Sequence, residues 1–134
     1  IKVKLVNVAW KDFLVNRKAM NYKGMMRGGW IGDYADPYSY LQLMSGIDNF
    51  TGWKDSKYND LLTKSNLEGD AKKRSALLNE AETYLLEQQP IIPLVTGTSR
   101  MLCKPYVKNL VPNSLNQTNW REVYIDKNVT AKGL

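Results

Sequence analysis

A chain of 134 residues with 43% hydrophobic and 24% charged side chains has the composition of an ordinary globular protein, and is long enough to bury about two-thirds of its unfolded surface in one domain. It has no apolar run that could span a membrane, no signal-peptide pattern, one cysteine (Cys103) and no histidine. An internal disulfide, a CxxC site and a Ser-His-Asp or Cys-His engine built from this chain alone are therefore excluded. The net charge of +6 is uneven. Residues 1–27 carry seven basic side chains against Asp12, residues 28–96 carry six against ten acidic ones, and residues 97–134 carry six against two. Such charge admits a nucleic-acid partner. No basic stripe is interleaved with exposed aromatics in the stacking pattern, however, so none is expected.

In chain order, Ile1–Ala9 alternates apolar and basic residues and predicts a half-buried strand. A chain that opens directly in a strand, at Ile1 and not at Met, is expected to be a piece of a longer polypeptide. Trp10–Met20 places Trp10, Phe13, Leu14 and Arg17 at helical spacing. Met25–Ile31 reads as a second strand, with Gly28 and Gly29 marking a bulge or a close backbone approach. Strand, helix and strand in about thirty residues is the size of a right-handed βαβ unit, which predicts an α/β class with parallel strands.

Asp36-Pro37 predicts a helix start running to about Met44 and stopping at Ser45-Gly46. Ser56 is expected to cap a helix through Leu67, with Tyr58, Leu61, Leu62 and Ser65 on one side and Gly69 ending it. Asp70 should cap the longest helix, Ala71–Gln89, whose Leu77, Leu78, Ala81, Tyr84 and Leu85 form an amphipathic stripe that Pro90 terminates. Ile91–Val95, Ser99–Cys103 and Trp120–Asp126 read as short strands. The stretch from Lys104 has few apolar residues and many turn signals, and is expected to wrap over another surface.

Chemistry is densest in Arg27-Gly-Gly-Trp-Ile-Gly-Asp-Tyr-Ala-Asp-Pro37, a strand-to-helix junction of the kind where α/β folds place their crevices. Bare glycines there would let an extended ligand pair with the backbone. Asp33 could fix a cationic amine, or be a solvated turn carboxylate or a salt-bridge partner of Arg27; Arg27 could meet a carboxylate, and Trp30 could wall a cleft or join the core. Asp36 reads mainly as a helix cap. Asp33 and Asp36 as an acid-base pair is the enzymatic alternative, which nothing else in the sequence supports.

The same segment, continued through Tyr38-Ser-Tyr-Leu41, resembles the R-x-G-W-x-x-D-Y-x-(D/E)-P-x-(S/T)-(F/Y)-L stretch of the dipeptide and oligopeptide solute-binding proteins, family 5. Asn49-Phe-Thr-Gly-Trp, Tyr58-Asn-Asp-Leu-Leu, the helix from Arg74 to Leu86, Pro90-Ile-Ile-Pro-Leu94 and Arg100-Met-Leu-Cys-Lys-Pro-Tyr-Val are similar to further family motifs in the same order. Trp10-Lys-Asp-Phe-Leu resembles another, although Ala9 replaces the usual acidic residue.

The resemblance implies the C-terminal part of a two-lobed, type II periplasmic-binding-protein-like fold. Residues 1–95 would be part of the C-terminal lobe, and 96–134 a hinge return and tail against the missing N-terminal lobe. It implies a non-enzymatic, cofactor-free substrate-binding component of an ABC importer, located outside the cytoplasmic membrane, free or lipid-anchored. Its partners would be an oligopeptide and the permease. Carried over by position, Asp33 would pair with the peptide's α-amino group, the main chain at Gly29 and Ile31 would bond the peptide backbone, Trp30 would form cleft wall, and Arg27 would meet a ligand carboxylate. Relatives that take nickel complexes, haem or sugars leave a non-peptide ligand as the alternative.

Overall fold

The computed structural model describes residues 2–98, 100–113 and 115–128. The chain divides into two compact units, one of Ile1–Trp30 with Asp36–Ile92, the other of Ile31–Ala35 with Pro93–Leu134.

The first unit is built on a helical hairpin. Helix α3, Ser56–Leu67, and helix α4, Ala71–Gln88, pack their apolar stripes together. Tyr58, Leu61, Leu62, Leu78, Ala81 and Leu85 form the core with Leu41 from helix α2, Tyr38–Leu41. Leu77 and Tyr84, the remaining members of the predicted α4 stripe, lie part-buried against it. Tyr58 has no exposed surface, and its hydroxyl donates to the Leu41 carbonyl at 2.7 Å, tying α2 to the hairpin. Burial pushes that hydroxyl's pKa well above its ordinary value, with Glu82 and Tyr38 adding smaller contributions.

Acidic side chains set the helix starts. Asp70 caps α4 as predicted, accepting from the Lys72 and Lys73 amides at 3.0 and 2.9 Å. At α3 the cap is Asp55 and not Ser56: its carboxylate accepts from the Tyr58 amide at 2.9 Å, and Ser56 is already helical. Gly69 supplies no left-handed stop, because α3 ends by turning extended at Glu68. Gln89 takes the left-handed conformation at the end of α4, just before Pro90. The predicted helix from Pro37 to Met44 is present as α2 followed by a 3-10 turn, Gln42–Met44.

Helix α1, Trp10–Lys18, buries no residue. It docks through Phe50: the Arg17 guanidinium stands 4.8 Å from the Phe50 ring and 5.7 Å from Phe13, and the Tyr22 hydroxyl donates to the Phe50 carbonyl at 2.7 Å. The loop carrying Phe50 is knotted by Asn49. Its amide donates to the Met44 and Trp53 carbonyls, and its oxygen accepts from the backbone and hydroxyl of Thr51.

The strands depart from expectation. Residues 2–9 and 25–31 take no regular structure, so the predicted parallel βαβ unit is not formed among the described residues. Leu5 is 90% exposed, where the alternating pattern placed it on a buried face. The physical reason is that a helix satisfies its own backbone, whereas a strand needs a neighbour to complete its ladder. Residues 91–95 and the described part of 99–103 are likewise without strand, and Ile1 and Ser99 lie outside the described residues. In the second unit the predicted strand at 120–126 shortens to β2, Tyr124–Ile125, paired antiparallel with β1, Val107–Lys108. Asn113 organises the turn between them, accepting from the Leu115 and Gln117 amides. The content is thus mixed helix and sheet, with the sheet reduced to one antiparallel ribbon among the described residues.

Tyr58→Phe should cost about 1 kcal/mol, leaving the Leu41 carbonyl without its donor. Leu78→Ala should cost about 2–5 kcal/mol by opening a cavity between the helices. Urea denaturation followed by helical circular dichroism measures both, and the reverse order of cost would contradict a core centred on the hairpin.

Candidate ligand-binding site

Residues 25–32 carry the backbone proposed to meet a ligand, and they run without helix or strand. Arg27, Gly29 and Trp30 belong to the first unit; Ile31 and Asp33 belong to the second. All five are exposed, Trp30 at 41% and Ile31 at 55%. Trp30 is therefore not a core residue, which resolves one of the two readings its sequence position allowed. Gly32, between Ile31 and Asp33, is buried.

Among the described residues, nothing demands glycine at positions 28 and 29. Neither has a positive φ, and a Cβ built on either meets no atom within 4 Å. The bulge reading falls, since no ladder surrounds them. Nor does another backbone come close to either among the described residues, so neither expectation for these glycines is met there.

Asp36 is the part of the motif with a defined chemical role. One oxygen accepts from the Tyr38 amide at 2.8 Å, capping α2. Both oxygens are gripped by Arg74 of α4, at 2.7 and 2.9 Å, in a two-point ion pair that is about one-quarter exposed. The Arg74 guanidinium, aided by the Tyr38 amide, holds the Asp36 carboxyl below the usual carboxylate range in spite of partial burial. A carboxyl held ionised in this way is a poor general acid or base, so Asp36 is removed from the paired-carboxylate alternative.

The Arg74 contact spans 38 residues, and no local pattern announces it. Asp55 is a second polar node missed by sequence reasoning. It accepts from the Tyr84 hydroxyl at 3.0 Å while capping α3, and the backbone bond from Tyr58 lowers its pKa first, the Tyr84 bond second.

Comparison with characterised proteins gives the class. No profile of a known protein family matches the chain. It is 32% identical over 130 residues to the periplasmic murein peptide-binding protein MppA of Escherichia coli, covering 95% of this chain and 24% of that protein. It is also 32% identical over 130 residues to the dipeptide-binding protein DppE of Bacillus subtilis, covering 96% of this chain and 23% of that protein. A third relative, the probable deoxycholate-binding periplasmic protein YgiS of Escherichia coli, is 32% identical over 127 residues, covering 92% and 24%. The chain spans about a quarter of the length of the curated relatives it matches. It is a relative, over nearly all of its length, of the dipeptide- and oligopeptide-binding solute-binding proteins.

The lowered Asp36 pKa fixes the sign of a pH effect. A carboxyl whose folded pKa lies below its unfolded value, near 3.8, stabilises the fold above that value, and the contribution is lost as pH falls through the folded pKa. Asp36→Asn should therefore lower stability near neutral pH and flatten the decline on acidification below about pH 4. Identical dependence of the urea midpoint on pH in both proteins would show the ion pair to be without effect.

Proposed function

We propose that this chain is part of the C-terminal lobe of the substrate-binding component of an ABC importer, one that captures oligopeptides outside the cytoplasmic membrane and delivers them to the permease. The carrying observation is the match of 95% of the chain to a protein named for binding murein peptide, with dipeptide- and oligopeptide-binding proteins alongside. In this reading residues 1–95 contribute lobe structure, 96–134 return through the hinge, and the N-terminal lobe supplies the opposite wall of the cleft. The unpaired segments at 2–9 and 25–31 then find their sheet neighbours in the rest of the protein. Membrane association, if the parent is a lipoprotein, comes through an anchor outside these residues. The role is capture and release, without catalysis.

Peptide recognition divides between backbone and charge. The main chain at Gly29 and Ile31 pairs with the peptide backbone, which gives affinity without reading side chains. A Cβ built at Gly28 or Gly29 meets no atom within 4 Å, so the main chain there is accessible to a ligand. Asp33 binds the α-amino group, exposed Trp30 forms apolar wall, and exposed Arg27 meets a carboxylate. The similarity to YgiS favours one second reading, a non-peptide amphipathic ligand in the same cleft.

Two variants of the full-length protein separate these readings by calorimetry. Asp33→Ala should weaken binding of a free-amine peptide about tenfold to a hundredfold, the worth of a charge-assisted bond, and leave its N-acetylated form nearly unchanged. Equal losses for both peptides would sink the amine role. Gly29→Val should leave thermal stability close to wild type, since the new side chain meets open space, yet weaken every peptide alike. Retained affinity would exclude backbone pairing at this residue.

A further inference from the structure

We propose that the loop at 49–53 is a register pin for the ligand-facing backbone: it holds the chain at Tyr22 and so sets where Arg27, Gly29 and Trp30 fall. The inference rests on the peptide-binding reading above, and every residue it uses belongs to the first unit. The loop's own side chains fix its shape. The Asn49 amide donates to the Met44 and Trp53 carbonyls, both at 2.7 Å, and its oxygen accepts from Thr51 twice. The Thr51 hydroxyl in turn accepts from the Trp53 amide at 3.1 Å. Trp53 stands edge-on to buried Tyr58, which fastens the loop to the core.

The outer side of this loop meets the chain that leads out of α1. The Phe50 ring faces the Arg17 guanidinium at 4.8 Å, and the Phe50 carbonyl accepts from the Tyr22 hydroxyl at 2.7 Å. Gly52, at a φ of 77° that favours glycine, has Met20 Sδ 3.6 Å from where a Cβ would stand. Helix α1 buries no residue, so this dock and not core packing places it. The contacts end at Tyr22, and the stretch that follows carries Gly24, Gly28 and Gly29. A strand takes its register from the side chains it sends to alternate faces, and a glycine-rich one has few to do so. A slip of one residue would turn the Gly29 N–H and C=O away from a peptide and present those of a neighbour. It would also move the strand by about 3.3 Å, which, passed back to Tyr22, is enough to break a 2.7 Å hydrogen bond. Holding the chain at Tyr22 therefore opposes the slip that the glycines permit.

The test titrates the full-length protein by calorimetry with one free-amine peptide and its N-acetylated form. Tyr22→Phe loses only the hydroxyl donor, and Arg17→Met keeps the length but loses the charge over the ring; they are made singly and together. Tyr58→Phe weakens the same unit while leaving the Arg17, Tyr22 and Phe50 contacts in place, so it reports what lost stability alone does. Register governs backbone pairing and not the amine. The double variant is thus expected to weaken both peptides about threefold to tenfold, on the order of one hydrogen bond, with their ratio unchanged. Added to Gly29→Val it should cost little more, because both changes act on one pairing. Tyr58→Phe should leave both affinities as they are. Wild-type affinity in the double variant overturns the inference, as does a loss confined to the free-amine peptide, a matching loss in Tyr58→Phe, or full additivity with Gly29→Val. Should the double variant not fold, Tyr22→Phe alone carries the same outcomes at the lower end of that range. Unchanged affinity in Gly29→Val would overturn the backbone-pairing reading, and this inference with it, whereas a loss there with none in the dock variants overturns the inference alone.

Discussion

The first unit depends on the burial of Tyr58 between two helices. Its ring lies wholly inside the α3–α4 interface, edge-on to Trp53 at 5.2 Å, and its hydroxyl reaches out of that interface to the Leu41 carbonyl. One side chain thus serves as core filling and as the link to the preceding element. A buried hydroxyl without a partner would cost as much as the hydrogen bond gains, so the Leu41 carbonyl is as necessary to the core as the ring is to α2. From Leu41 the order passes backwards along the chain, through buried Ser39 to the Asp36 cap and its Arg74 partner. The glycine-rich stretch at 28–32 lies just ahead of that chain of fixed residues.

Helices were legible in the sequence because their hydrogen bonds are local and their packing has a period. The four residues expected on one face of α3, Tyr58, Leu61, Leu62 and Ser65, are its buried residues, and the α4 stripe is correct at Leu78, Ala81 and Leu85. Caps were legible to within a residue. Asp70 was found directly, while Asp55 and Ser56 are adjacent candidates and only geometry selects the one whose oxygen reaches the third amide of the helix. Strands were not legible to the same degree. Alternation such as that at 1–9 is the pattern of a strand with two unlike faces, and a sheet face exists only with neighbouring strands. With no ladder partner among the described residues, the pattern is present in the sequence and absent from the structure.

At the candidate site the sequence shows the residue types and not the contacts that hold them. Glycines beside an exposed tryptophan and two acids are visible in any reading of 27–37, and the family resemblance divides their roles. What the sequence could not disclose is the contact from Arg74, since an ion pair 38 residues apart leaves no periodic trace. Nor could it tell that a Cβ at Gly28 or Gly29 meets no atom within 4 Å. Glycine is commonly explained by positive φ or by crowding; at these two positions neither applies among the described residues.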